Sequence, residues 1–205
     1  MTETQTQVPQ LPYAIKATLV EYRRRLGVWR IVLAIALTFI IYLRFGFTAW
    51  LISVAVIAVI IGGILWFLGR RSLIMTPDGI EYENCFGKRT KIAYSDIDGV
   101  KVFANYYETS FGVVPRISIG RKSGKSPLTL SGLYWQAAEL DKVISVLKDK
   151  KVEAEYYEDL VNYAMIAKQF PAYATYVERH PYKLATIIVI GILVLVTIFV
   201  LVVDL

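Results

Sequence analysis

The sequence predicts an α-helical membrane protein of three spans that also carries an α+β domain, antiparallel strands closed by one helix. Three observations predict it. Apolar residues make up 56% of the 205, above the 45–50% of ordinary soluble domains, and they are gathered into blocks ruled off by charges. The second and third blocks are as long as a bilayer is thick. Between them lies a mixed stretch of about 110 residues, with turn signals every 8–12 residues and then a helical period.

The blocks come first in order. Ile31 to Leu43 is 13 uncharged residues, Phe45 to Gly69 is 25, and Leu184 to Val203 is 20. A hydrocarbon core of ~30 Å needs roughly 20 helical residues. The first block is short, but Val28 and Trp29 extend it, and Arg30 and Arg44 can snorkel from its ends. The second has no polar face, as expected of a helix surrounded by lipid. Trp29, Trp50 and Trp66 fall near the span ends, where interfacial aromatics sit. Only Arg44-Phe45-Gly46 links the first two spans, so they form an antiparallel hairpin. Gly62-Gly63 in the second permits close packing or a slight kink, or is merely tolerated there. No small-residue cleavage site follows the first block, so it reads as an uncleaved span rather than a signal peptide.

Charge sets the expected orientation. Arg23, Arg24, Arg25, Arg30, Arg70, Arg71, Arg179 and Lys183 flank one side of the spans, and Arg44 alone lies on the other. By the positive-inside bias, a multi-pass inner-membrane protein is expected, with its N-terminus and the segment 70–182 cytoplasmic.

The domain reads as short strands. Ser72 to Met75 precedes the turn Thr76-Pro-Asp-Gly79, then Ile80 to Cys85 alternates apolar with polar. Phe86-Gly-Lys88 turns the chain into Arg89–Ala93, and Asp98–Phe103 follows. Asn105 to Gly112 reads as a loop, Arg116–Gly120 alternates again, and Lys122–Lys125 leads into Ser126–Leu130. From Tyr134 to Lys150 the period becomes helical, with Ala137, Leu140, Val143, Ile144 and Leu147 on one face, Ser131 as N-cap and Lys148, Lys150 and Lys151 at the C-terminal end.

Leu73-Ile-Met-Thr-Pro-Asp-Gly-Ile80, Lys91-Ile-Ala-Tyr-Ser-Asp-Ile-Asp-Gly-Val100 and Pro127-Leu-Thr-Leu130 carry a resemblance. The chain from about 28 to 150 resembles bacterial membrane proteins with a pleckstrin-homology (PH) domain, in particular the YcxB-like group. Tyr94 stands where Trp is frequent in that group. The resemblance implies a PH-like antiparallel barrel of about seven strands capped by a C-terminal helix, preceded by a transmembrane hairpin. It does not account for the third span. The expected organisation is thus an N-terminal cytoplasmic segment (1–27), the hairpin (28–69), a cytoplasmic PH-like domain (70–152), an amphipathic helical connector (153–182) and a third span (183–205). The connector rests on Tyr156, Leu160, Tyr163, Ala167 and Phe170, spaced by four, three, four and three. This stripe either packs on the barrel or lies at the headgroups; Glu153, Glu155, Glu158 and Asp159 disfavour an anionic leaflet.

Catalytic patterns are sparse. One cysteine, Cys85, and one histidine, His180, exclude a disulfide framework and the common zinc sites. Cys85 reads as a small buried hydrophobe and His180 as an interfacial residue. Gly120-Arg-Lys-Ser-Gly-Lys-Ser126 has three residues between its glycines where a phosphate loop needs four, and lies between two strands. Asp96-Ile-Asp98 places two carboxylates on one strand face, but nothing in the sequence completes a divalent-ion site; Asp96 reads as ordering a turn. No catalytic activity, cofactor or metal is therefore expected. The segment 70–182 carries 16 basic and 14 acidic residues, too balanced for a nucleic-acid partner. Two basic hairpin tips remain as candidate lipid contacts: Lys88, Arg89 and Lys91, and Arg121, Lys122 and Lys125. The expectation is a non-enzymatic module that docks membrane lipid or a protein partner. The alternative is an accessory or assembly subunit of a larger membrane complex, acting mainly through its spans.

Overall fold

The structure is a computed structural model that describes residues 8–108 and 111–183, with 186, 190 and 191. It is an α+β fold with two four-stranded sheets. Sheet order is β1-β2-β3-β4 in the first and β7-β6-β5-β8 in the second. The strands are β1 (Tyr13–Lys16), β2 (Ser72–Met75), β3 (Gly79–Glu83), β4 (Arg89–Ala93), β5 (Ile97–Tyr107), β6 (Val113–Arg121), β7 (Leu128–Ser131) and β8 (Ala154–Asn162). The helices are α1 (Val20–Leu26), α2 (Val28–Gly69), α3 (Ala137–Asp149), α4 (Tyr163–Gln169) and α5 (Tyr176–Arg179).

The strands expected from β2 to β7 are present. Two were not expected. β1 comes from the segment read as an N-terminal tail, and pairs antiparallel with β2, Ile15 opposite Leu73. The long helical element α2 is therefore an insertion between neighbouring strands of one sheet. The second is β8, which lies parallel to β5 where a helical connector was expected. Among the described strands no ladder joins the two sheets, so the expected closed barrel is corrected to two separate sheets.

α2 is not one rod. A straight helix of 42 residues would be about 63 Å long. Yet a methyl group on Gly69 would sit 3.7 Å from the Leu19 side chain. Nine residues from Leu19 to Val28 reach at most about 32 Å. Both ends of α2 thus lie near Leu19, and the element must double back. It does so at Gly46, whose φ of 83° is open to glycine and costly for other residues. The hairpin is as expected; its membrane role is a separate matter. Among the described residues one segment, Tyr42–Gly69, is long and apolar enough to cross a membrane, with mean hydropathy 2.8 and no buried face, and the arm after Gly46 supplies its length. Three spans are not supported among the described residues: the side chains of 28–31, 34, 35, 37 and 41 in the first arm, and most of the third block (184, 185, 187–189 and 192–205), lie outside them.

Two cores flank the second sheet. One face, through Val100, Ile117 and Ile119, packs with the first sheet and with the Leu140, Val143, Ile144 and Leu147 stripe of α3. That stripe is the one the helical period predicts. Ser131 does not cap α3: it ends β7, while the Gln136 amide at the start of α3 donates to Glu139. Trp135 is fully buried there. The opposite face is covered by the strap that follows β8, in a core of Phe103, Tyr106, Val114, Val161, Ile166 and Ala174. The expected stripe holds for Ala167 and Phe170, which pack on this core, but names the wrong side within β8. Tyr156 and Leu160 are 53% and 58% exposed, whereas Tyr157 and Val161 pack inward.

Candidate functional site

Sheet register sorts the candidate residues into two ends of the molecule. Ser72, just after the hairpin, pairs with Glu83, which pairs with Arg89. The β3–β4 turn therefore lies at the hairpin's end of the first sheet. On the second sheet, the β5–β6 turn lies at this same end. Tyr22 of α1 stacks on Phe111 with ring centres 5.0 Å apart, and Arg25 donates to the Phe111 carbonyl.

The β3–β4 turn is built by Asn84, whose side-chain oxygen accepts from the backbone amides of Phe86 and Lys88, both at 3.0 Å. This holds Phe86 outward, 78% exposed. Its ring meets Phe67, in the last turn of α2, edge-on at 4.7 Å. Arg70 lies over Trp66 at 5.0 Å, and its guanidinium is 3.7 Å from where a methyl on Gly87 would sit. Lys88, Arg23 and Arg24 are exposed at this end as well. Trp66, Phe86, Arg70 and Lys88 thus form a collar of rings and cations around the end of the apolar helix. Cys85, in the same turn, is buried as expected.

The six basic residues singled out in the sequence do not act together. Arg89 pairs with Glu83 at 2.9 Å and Lys91 with Glu81 at 2.6 Å, both across the β3–β4 ladder. Such exposed pairs add little stability, but they leave Lys88 as the one of the tip's three cations without an acidic partner among the described residues. Arg121, Lys122 and Lys125 are at the other end: β6 runs eight steps from the Phe111 side to Arg121, about 26 Å. Arg121 is nearly buried, 9% exposed, and spoken for by Asp96 at 3.1 Å. Lys122 and Lys125 are exposed beside it.

Asp96 has the structural role the sequence assigns it. It also accepts from the Ser123 amide and hydroxyl, both at 3.1 Å, and so fastens the β6–β7 hairpin to the start of β5. Slight burial would raise its carboxyl, but Arg121 and Ser123 hold it below the ordinary value. No group of three metal-ligating side chains forms among the described residues. Asp96→Asn is expected to speed hydrogen exchange at the Ser123 amide while leaving β5 and β6 protected; equal exchange would remove Asp96 from this role.

Sequence reasoning missed the buried polar contacts on the strap face. Arg116 (5% exposed) grips Glu178 (13% exposed) with both terminal nitrogens, its Nη2 at 2.9 Å from Oε2. Glu178 also accepts from the Tyr106 hydroxyl, at 3.2 Å, and from the amide and hydroxyl of Thr175. Nearby, Lys101 sits 5.3–5.4 Å from the ring centres of Tyr157, Phe170 and Tyr173, and donates to Glu155. Burial works to lower the Lys101 ammonium, but Glu155 and Tyr157 raise it above the ordinary lysine value. Tyr173 sits over a pair of glycines; a methyl on Gly99 would come within 2.9 Å of its hydroxyl oxygen, and one on Gly120 within 2.8 Å of its ring. Those two glycines, opposite each other in the ladder, were the available sequence signal.

A cavity of about 310 Å³ lies between α1 and the start of α3, lined by Thr18, Glu21, Arg24, Arg25, Trp135 and Gln136 among others. Glu21 bonds both arginines, so the cavity offers little free charge. Comparisons with protein families, with curated proteins and with solved structures find no match to this chain.

Proposed function

We infer that the protein is a membrane-held, non-enzymatic docking module. Its apolar hairpin enters the bilayer from the cytoplasmic side, and the two-sheet domain sits on the leaflet. The observation that carries this reading is Phe86: an exposed ring on a turn tip, touching the last turn of the one helix that is long and apolar enough to span among the described residues. An exposed aromatic beside a span end belongs at headgroup depth. Arg70, Lys88 and Arg23 then face the headgroups, each worth ~1 kcal/mol against an anionic surface. Of the six sequence candidates, Lys88 is the one this geometry favours for lipid. The order of four strands, three strands and a helix supports a PH-like reading of the domain, with β1 supplied from before the hairpin.

Bromolipid quenching tests it. With Cys85→Ser as background, an environment-sensitive fluorophore is placed on Phe86→Cys or on Ser123→Cys of the full chain in vesicles containing phosphatidylglycerol. Quenching by acyl-chain bromines is expected at 86 and not at 123. A label at 86 that lipid bromines leave bright would overturn the reading.

A further inference from the structure

We propose that the free edge of β8 receives an extended basic segment of a protein partner, which adds to the second sheet as a further strand. β8 is the outermost strand of that sheet, nine residues long, and five of them in a row but one (Glu155, Tyr156, Glu158, Asp159 and Leu160) are exposed. An unpaired edge offers backbone donors and acceptors to any chain that can lie beside it.

Charge names the kind of chain. The protein as a whole carries +6, yet between Lys151 and Lys168 there is no basic residue and there are four acids, Glu153, Glu155, Glu158 and Asp159. Glu155 is engaged by Lys101; Glu153, Glu158 and Asp159 are exposed and form no ion pair among the described residues. Leu160, exposed on this edge strand, offers an apolar seat, and Tyr156, four residues earlier, carries the Lys148 ammonium 4.8 Å from its ring centre, leaving the exposed acids to set the charge of the strand itself. A second copy of β8 would bring acid against acid, and an anionic leaflet would be repelled. The complement is an extended segment alternating Lys or Arg with aliphatic residues. The parallel register with β5 leaves this edge running the height of the domain, from Ala154, far from the hairpin, to Asn162 beside Tyr107, at the hairpin's end.

Acids and a bulge such as that at 158–159 are also devices that keep an edge unpaired, and the experiment separates the two roles. The probe is an octapeptide alternating lysine and valine. Its binding to the full chain is measured by fluorescence anisotropy in nanodiscs of zwitterionic phosphatidylcholine, which does not attract the peptide. Binding is expected in the micromolar range. Methylation of alternate backbone nitrogens, which keeps every charge, should weaken it at least tenfold, and so should Glu158→Lys with Asp159→Lys. A glutamate–valine octapeptide should not bind. No binding of the lysine peptide, equal binding of the methylated one, or indifference to the charge reversal would each overturn the proposal. A Lys122→Glu, Lys125→Glu variant, altered at the far hairpin, should bind as the parent does.

Discussion

Glu178→Ala is expected to cost about 3–5 kcal/mol, the range for stripping one partner from a buried ion pair. The removal leaves Arg116, at 5% exposure, charged and unanswered, and takes the acceptor from Tyr106 and the cap from Thr175 at once. The loss falls on the strap, since α5 touches the sheet through this cluster. Limited proteolysis between residues 163 and 183 should accelerate, and the urea midpoint should drop. Glu155→Ala, whose carboxylate is 59% exposed, should change far less. Replacing both Arg116 and Glu178 by leucine should recover part of the loss, because no lone charge is then buried. Unchanged cleavage in Glu178→Ala would show that the strap is held by its apolar contacts alone.

The same pair sets an acid limit. Burial would raise the Glu178 carboxyl, but the Arg116 guanidinium and the Thr175 donors overcome it and hold it below its ordinary value of 4.5. A depressed folded value means that the stabilisation is fully present above the unfolded value. It is lost as pH falls below about 4.5 and through the folded value. Strap protection should therefore fade at acid pH in the parent and show no such step in the double leucine variant.

What the sequence made legible follows from range. β2, β3, β4, β6 and β7 pair with near neighbours across marked turns, so alternation and turn chemistry suffice. The pairs Glu83–Arg89 and Glu81–Lys91 follow from that same register and were within reach, though the basic residues were read alone. β1 was hidden: four residues, one of them fully buried, with their partner strand beyond a 42-residue helical insertion. β8 was disguised. Its pairing with β5 slips by one residue between Tyr157 and Leu160, and its exposed Tyr156 and Leu160 continue into Tyr163 at helical spacing. A bulged strand followed by a short helix imitates one amphipathic helix. Arg116 and Glu178, 62 residues apart on elements whose pairing no local pattern announces, lay beyond a reading by period and spacing. The collar was half legible: the span and its tryptophans were seen, but Phe86 passed as a turn residue until the turn was placed against Phe67.

The placement of α2 inside the first sheet leads to the largest expected difference between two shortened chains. A fragment of residues 70–152 holds every element the sequence assigned to the domain, yet it lacks β1, β8 and the strap. Ile15 and Leu19, 3% and 2% exposed, each contribute about 1.5–3 kcal/mol by burial. With them go the β1–β2 ladder and the whole apolar cover of Phe103, which packs on Tyr157 and Phe170. Against a net stability of about 5–15 kcal/mol, such losses leave no folded state. The fragment is expected to show collapsed amide chemical-shift dispersion and no cooperative urea transition. A chain in which a short Gly-Ser linker joins residues 8–26 to 70–182 should behave in the opposite way. The contact of Leu19 with Gly69 brings those ends within reach of a linker, and the apolar helix that needs lipid is gone. It should remain dispersed without detergent and unfold in one transition. Cooperative unfolding of 70–152 by itself would make β1, β8 and the strap appendages. Aggregation of the linked chain would mean that the domain relies on the hairpin for more than attachment, with the collar around Trp66 and Phe86 as part of its support.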